Sequence, residues 1–238
     1  MPDIPLTLRL KAALIMRLSE ITSNSPSISF AGIEHQQLPN GTIATSQAGY
    51  INRVASTIGV SHLSPISHIS DKTFFHSSIL SEDVVPTDLD AYTSLTGHLV
   101  HVLQTRDDVK HFISHLCSKN STANIGDHKK AISLLRFLHS TSDVGRVFKS
   151  SSTQIVAFSD ASFANHENGR SAGAFFLSVG PTNAPFISSA KMIDSVSSCP
   201  MVAEYTTSNS CCQELMHYRQ FSVELGWPQQ STQFFMDS

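Results

Sequence analysis

Two short apolar runs in this chain each end in an aspartate. Ile155-Val156-Ala157-Phe158 leads through Ser159 to Asp160, and Phe234-Phe235-Met236 leads to Asp237. Runs of this length and composition, set between polar segments, are expected to be strands buried on both faces. Burying a carboxylate at such a strand end is costly unless it is paired, hydrogen-bonded or bound to a metal. A third acid, Glu204, sits in Met201-Val202-Ala203-Glu204-Tyr205, where apolar neighbours at helical spacing turn it toward a sheet. Three carboxylates brought together repel one another unless cations neutralise them. Mg²⁺ or Mn²⁺ suits that role, because hard divalent ions prefer carboxylate oxygen. If the three do not converge, each is a solvated strand end or helix-surface residue.

The chain has 238 residues and is 40% hydrophobic, enough for one large domain or two small ones with a real core. Its formal net charge of -3 provides no global field toward nucleic acid, so a nucleic-acid role needs a local basic patch. Cys117, Cys199, Cys211 and Cys212 show no C-x-x-C spacing, so free thiols in a reducing compartment are expected. The apolar run Ala12-Ala13-Leu14-Ile15-Met16 is too short for a signal sequence, and no stretch approaches a membrane span. A soluble intracellular protein, cytoplasmic or nuclear, is expected.

Periodicity divides the chain near residue 150. Upstream, residues 5–20 have helical spacing, and residues 29–47 read as two strands around a turn at Pro39-Asn40-Gly41. Residues 48–60 read as a helix closed by Gly59, and 61–90 as loop. Helices over 88–105 and 126–141 follow, the second with Asp127 as a candidate N-cap, and 143–153 reads as a linker. Downstream, strands are expected at 154–160, 171–179 and 185–189, then a helix at 201–225 and a strand at 232–237. That order predicts an α/β arrangement whose sheet carries at least one crossover.

Other constellations are weaker. His98, His101, His111 and His115 have helical spacings but lack the Glu of a zincin motif, and surface or core histidine is the expectation. Arg106, Arg136, Lys129 and Lys130 are candidates for phosphate contact or for a solvated helix face. Cys211-Cys212 has no accompanying His-Asp pattern for a nucleophile. No G-x-S-x-G, P-loop or G-x-G-x-x-G is present.

Several motifs resemble the ribonuclease H domain of copia-type retrotransposon polyproteins. Ser159, Asp160, Ala161 and Ala164 match the family's opening S-D-A-[DS]-[WF]-A, and Arg170, Ser171 and Gly173 match its middle. Ile187, Ser188, Ser189 and Lys191 resemble its third strand, and Ala203, Glu204 and Tyr205 its helix start. Leu225-Gly226-Trp227-Pro228 through Asp237 resembles its L-G-x-P strand with the third acid. Upstream, residues 30–54, 92–109 and 127–145 look like the segments that follow the polymerase palm, in family order.

The resemblance implies an α+β protein. Residues 1–150 would be a mostly helical reverse-transcriptase thumb and connection remnant with a β-hairpin. Residues 151–238 would form a ribonuclease H-like mixed sheet with helices, truncated at the C-terminus. It implies Mg²⁺- or Mn²⁺-dependent hydrolysis of RNA in RNA–DNA hybrids, with Asp160, Glu204 and Asp237 as catalytic metal ligands and Arg170 and Ser171 contacting substrate. The implied partners are an RNA–DNA hybrid or other nucleic acid and the remainder of a Pol polyprotein, with no membrane. The alternative is a catalytically inactive relic or a nucleic-acid-binding fragment. The departures are that no Tyr-x-Asp-Asp motif is present, that Asp107-Asp108 stands where the family has Pro-Asp, and that Met201 and Val202 replace the residues usual before Glu204.

Overall fold

The computed structural model describes residues 27–70, 74–75, 85–149, 152–164 and 169–236. The helix expected at 5–20 lies outside them, as does Asp237. The described residues are mixed α and β, with two four-stranded sheets.

The first sheet is an antiparallel meander of β1 (Ser27–Phe30), β2 (Ile33–Gln37), β3 (Ile43–Ser46) and β4 (Arg146–Phe148). The segment expected to form two strands forms three, because a tight turn at Ala31-Gly32 splits it. Both turn residues have positive φ, 51° and 77°, which glycine adopts freely and alanine does not. The expected linker contains β4, which binds β3 across about a hundred residues of intervening chain.

Helices α1 (Ala48–Ile58), α2 (Leu89–Val102), α3 (Lys110–Cys117) and α4 (Ile125–Ser140) enclose the first core. Ile51, Val54, Leu95, Leu99, Leu116 and Leu134 are among its buried members. The cap of α4 is Asn124 rather than Asp127: Asp127 stands at the third helical position and closes a reciprocal capping box with Asn124. Helix α3 was not expected from the sequence. Only eight residues long, two of them histidine, it has too few turns for periodicity to register.

The second sheet has the strand order β7–β6–β5–β8, from β5 (Ile155–Ser162), β6 (Ala172–Val179), β7 (Pro185–Met192) and β8 (Gln233–Met236). Three consecutive strands pair antiparallel, and β8 returns parallel to β5 on its other side. A parallel return needs a crossover, and α5 (Pro200–Glu224) supplies it. Its sheet-facing residues are Ala203, Thr207, Cys211 and Leu215, spaced by four and mostly small. Small side chains let helix and sheet approach closely: a Cβ at Gly173 on β6 would overlap the Thr207 side chain. Arg219 fixes the exit from α5 by donating to the carbonyls of Gln230 at 2.6 Å and Gln229 at 3.3 Å. Among the described residues no helix is long and apolar enough to cross a membrane.

The Gly173–Thr207 contact carries a prediction. Gly173→Ala is expected to cost about 1–3 kcal/mol in urea denaturation by overpacking. Adding Thr207→Ala, which removes the overlapping atoms, should restore most of that loss.

Candidate functional site

Residue pairing across the second sheet sets its two faces. Ser188, Phe176, Phe158 and Phe235 lie in one row across the four strands, and Ala190, Ala174 and Asp160 form the next row toward the end of β5. Successive strand residues point to opposite faces, so both rows share the face away from α5. The phenylalanines stack, with ring centroids 4.5 Å apart for Phe158–Phe176 and 4.8 Å for Phe158–Phe235. Beside this tall aromatic row the methyl groups of Ala174 and Ala190 leave a trough. The result is a cleft of about 410 Å³ with Asp160, Lys110 and Asp107 among its lining residues. Asp160 is exposed there.

Glu204 approaches the same strand end from the other side. It lies one turn into α5, and its Oε1 accepts the backbone amide of Ala161 at 3.0 Å. Ala161 directly follows Asp160, so both acids belong to the C-terminal end of β5. They line different clefts: Glu204 faces one shared with Tyr205, Asn209 and Cys212, and Met236 borders both. Ser159 and Ser208 hydrogen-bond at 3.0 Å beneath them and hold α5 against β5. The described part of β8 ends with Met236 in register with Ser159, and Asp237 lies outside the described residues. Among the described residues no group of three His, Cys, Asp or Glu side chains is placed to hold a metal.

The two residues expected at substrate differ in setting. Arg170 is half-buried just before β6. Ser171 is fully buried, and its Oγ accepts the amide of Ala164 at 3.1 Å. Ala164 has φ +49°, so this hydrogen bond holds a strained loop residue in place. Ser171 therefore helps to shape the loop after β5.

The first core contributes the cleft's charged rim. Asp107 accepts Arg146 Nε at 2.7 Å and a second guanidinium nitrogen at 2.8 Å, and it also accepts the hydroxyl of Ser188 on β7. Lys110 donates to the carbonyl of Ser188 and, at 2.9 Å, to its Oγ. Burial lowers the Lys110 pKa, the Arg146 charge adds to that, and Asp107 opposes it. The Asp107-Asp108 pair thus serves two arginines, because Asp108 takes Arg106 bidentately at 2.8 and 2.9 Å.

Arg106 is 1% exposed and also donates to the Thr141 carbonyl at 2.8 Å, which makes it a structural residue unable to reach a phosphate. Arg136 is held to the Ser64 carbonyl at 2.6 Å. The histidines separate into two places. His98 and His101 contact Tyr50, and the rings of His111 and His115 pack on Phe75. Cys211 is buried, and that burial pushes its thiol up to about 12.

Lys110, Asp107 and the phenylalanine row escaped the sequence reading. Phe158, Phe176 and Phe235 become neighbours only through strand register. The departure at Asp107 marked the position in the sequence without saying what it binds. No protein-family model, curated protein or solved structure matches the chain.

Two outcomes check this geometry. Asp107→Ala leaves Arg146 and Lys110 facing each other, and is expected to cost about 1.5–3 kcal/mol in chemical denaturation. For the cysteine pair, iodoacetamide at pH 8 should label exposed Cys212 in the folded chain and spare Cys211. With its thiol raised, Cys211 contributes stability below its unfolded pKa, and that contribution is lost as pH rises from there toward 12.

Proposed function

We propose that this chain is a ribonuclease H-like protein acting on RNA–DNA hybrids, with the hydrolytic site at the C-terminal end of β5. The carrying observation is the sheet itself. Three antiparallel strands, a crossover helix and a parallel fourth strand bring Asp160 and a helix-borne glutamate to the same stretch of β5, from its two faces. That supports the resemblance noted in the motifs around Asp160 and Glu204. A retroelement origin rests on the sequence resemblance of the upstream segments alone.

The donor set is entirely carboxylate oxygen, which is the chemistry Mg²⁺ or Mn²⁺ takes. By the resemblance Asp160, Glu204 and Asp237 would hold the ion, which would neutralise charge on the phosphodiester. Among the described residues Asp160 and Glu204 line separate clefts, and no group of three is placed for a metal. The chain's own residues do the positioning. The Ala161 amide orients Glu204 by donating to it, and the Ser159–Ser208 bond keeps α5 in register with β5. The phenylalanine row and the two alanines give the Asp160 cleft an apolar wall on which a base or sugar can rest.

A second reading has an observation in its favour. Asp160 and Glu204 line separate clefts, which suits a fragment that binds nucleic acid without cutting it. A labelled RNA–DNA hybrid in Mg²⁺ or Mn²⁺ separates the two. Hydrolysis requires metal-dependent cleavage by the wild-type chain that falls to background in both Asp160→Asn and Glu204→Gln. Cleavage that survives Asp160→Asn removes the site from this strand end. Binding with no cleavage in either metal establishes the second reading.

A further inference from the structure

The cation nearest the Asp160 cleft comes from the other half of the chain. Lys110 is the first residue of α3, and its ammonium lies at the cleft rim against β7. Both of its hydrogen bonds among the described residues go to Ser188, which leaves one N–H of the ammonium to donate. Two cations, Lys110 and Arg146, also meet at the carboxylate of Asp107, the acid that acts on Lys110. The Arg146 guanidinium takes that carboxylate bidentately, so little of its charge is left for Lys110. A half-buried ammonium with a spare donor and an incomplete counter-charge is a place where an anion lowers the free energy.

We propose that Lys110 is a phosphate-binding subsite of the Asp160 cleft, holding a backbone phosphate of the nucleic acid strand that enters it. This rests on the nucleic-acid reading above and extends it: the first core then supplies part of the binding surface. The ligand class follows from the lining, because an apolar wall of phenylalanine and alanine beside one cation suits a nucleotide, with its flat base and single anionic group. Asp160 also lines the cleft and repels a phosphate, so the subsite works best when a cation neutralises that carboxylate or the carboxylate is removed.

Two experiments test this. In the first, a fluorescein-labelled RNA–DNA hybrid is titrated with Asp160→Asn protein, which leaves the hybrid intact. The titration is repeated with Lys110→Gln and Lys110→Arg added, across a range of salt. Lys110→Gln is expected to weaken binding several-fold and to make the log–log salt slope shallower by about one, and Lys110→Arg to retain both. Affinity and slope unchanged by Lys110→Gln overturn the proposal and leave hydrolysis to be judged by its own assay.

The second experiment needs no change at Lys110. Lysine acetylation of the folded wild-type chain in Mg²⁺ is followed by mass spectrometry, with inorganic tripolyphosphate as the probe and exposed Lys149 as the reference. Tripolyphosphate should slow acetylation at Lys110 and leave Lys149 unaffected, and equal rates at Lys110 with and without it overturn the proposal. Protection by tripolyphosphate in a chain that binds no hybrid upholds a phosphate subsite for a free polyphosphate and ends the nucleic-acid reading.

Discussion

The carboxylate of Asp107 joins the two halves of this protein. From the short turn before α3 it reaches Arg146 on the last strand of the first sheet and Ser188 on the edge strand of the second. Arg146 in turn donates to the Leu103 carbonyl at 3.3 Å, which ties the end of α2 into the same cluster. An ion pair in open water contributes little, but both partners here are mostly buried, with side-chain exposures of 16% and 18%. In that setting geometry decides the outcome, and every strong donor around Asp107 is aimed at an oxygen. Backbone bonds run alongside: Ala184 donates to the Val147 carbonyl at 3.0 Å, so the loop before β7 is bound to β4. The cleft beside Asp160 inherits its shape and its cation from this junction.

The second sheet depends on a different economy of space. Helix α5 shows little apolar periodicity, because the stripe it buries is alanine, threonine, serine and cysteine. What holds it is proximity: Gly173 has no side chain, Thr207 fills the gap, and the serine pair bonds across the interface. Close packing of this kind gains dispersion contacts that a row of leucines would obtain at a greater distance. It also delivers Glu204 to the Ala161 amide, since a helix held further from the sheet could not reach it. The opposite face lacks such a helix among the described residues, and its stacked phenylalanines are only partly covered, with Phe235 47% exposed.

Much of this architecture was legible in the residues. The apolar runs at 155–158 and 234–236 are strands, the long helix between them spans nearly its expected limits, and the change of period near 150 separates two hydrophobic clusters. These features are local, since a strand or helix is largely specified by which positions within ten residues are apolar. The misreadings also have local causes. A positive-φ turn at Ala31-Gly32 gives no apolar signal, and an eight-residue helix completes too few turns. A three-residue strand such as β4 exists only because β3 is there to pair with it.

The residues alone located the strand that carries Asp160, which runs on to Ser162 rather than ending at the acid. They also located the helix that carries Glu204, and the order of three strands, a helix and a strand in the second half. Which face Asp160 and Glu204 serve came from the assembled sheet, because a face depends on register, and a one-residue slip would exchange every side chain between the two sides. Tertiary packing buried Ser171 and Arg106 and set Phe158, Phe176 and Phe235 in one row. It also brought Lys110 to a cleft whose other walls lie about fifty or more residues away in the chain. Hydrophobic periodicity records a residue's neighbours along an element, whereas a site is made of residues that meet across elements.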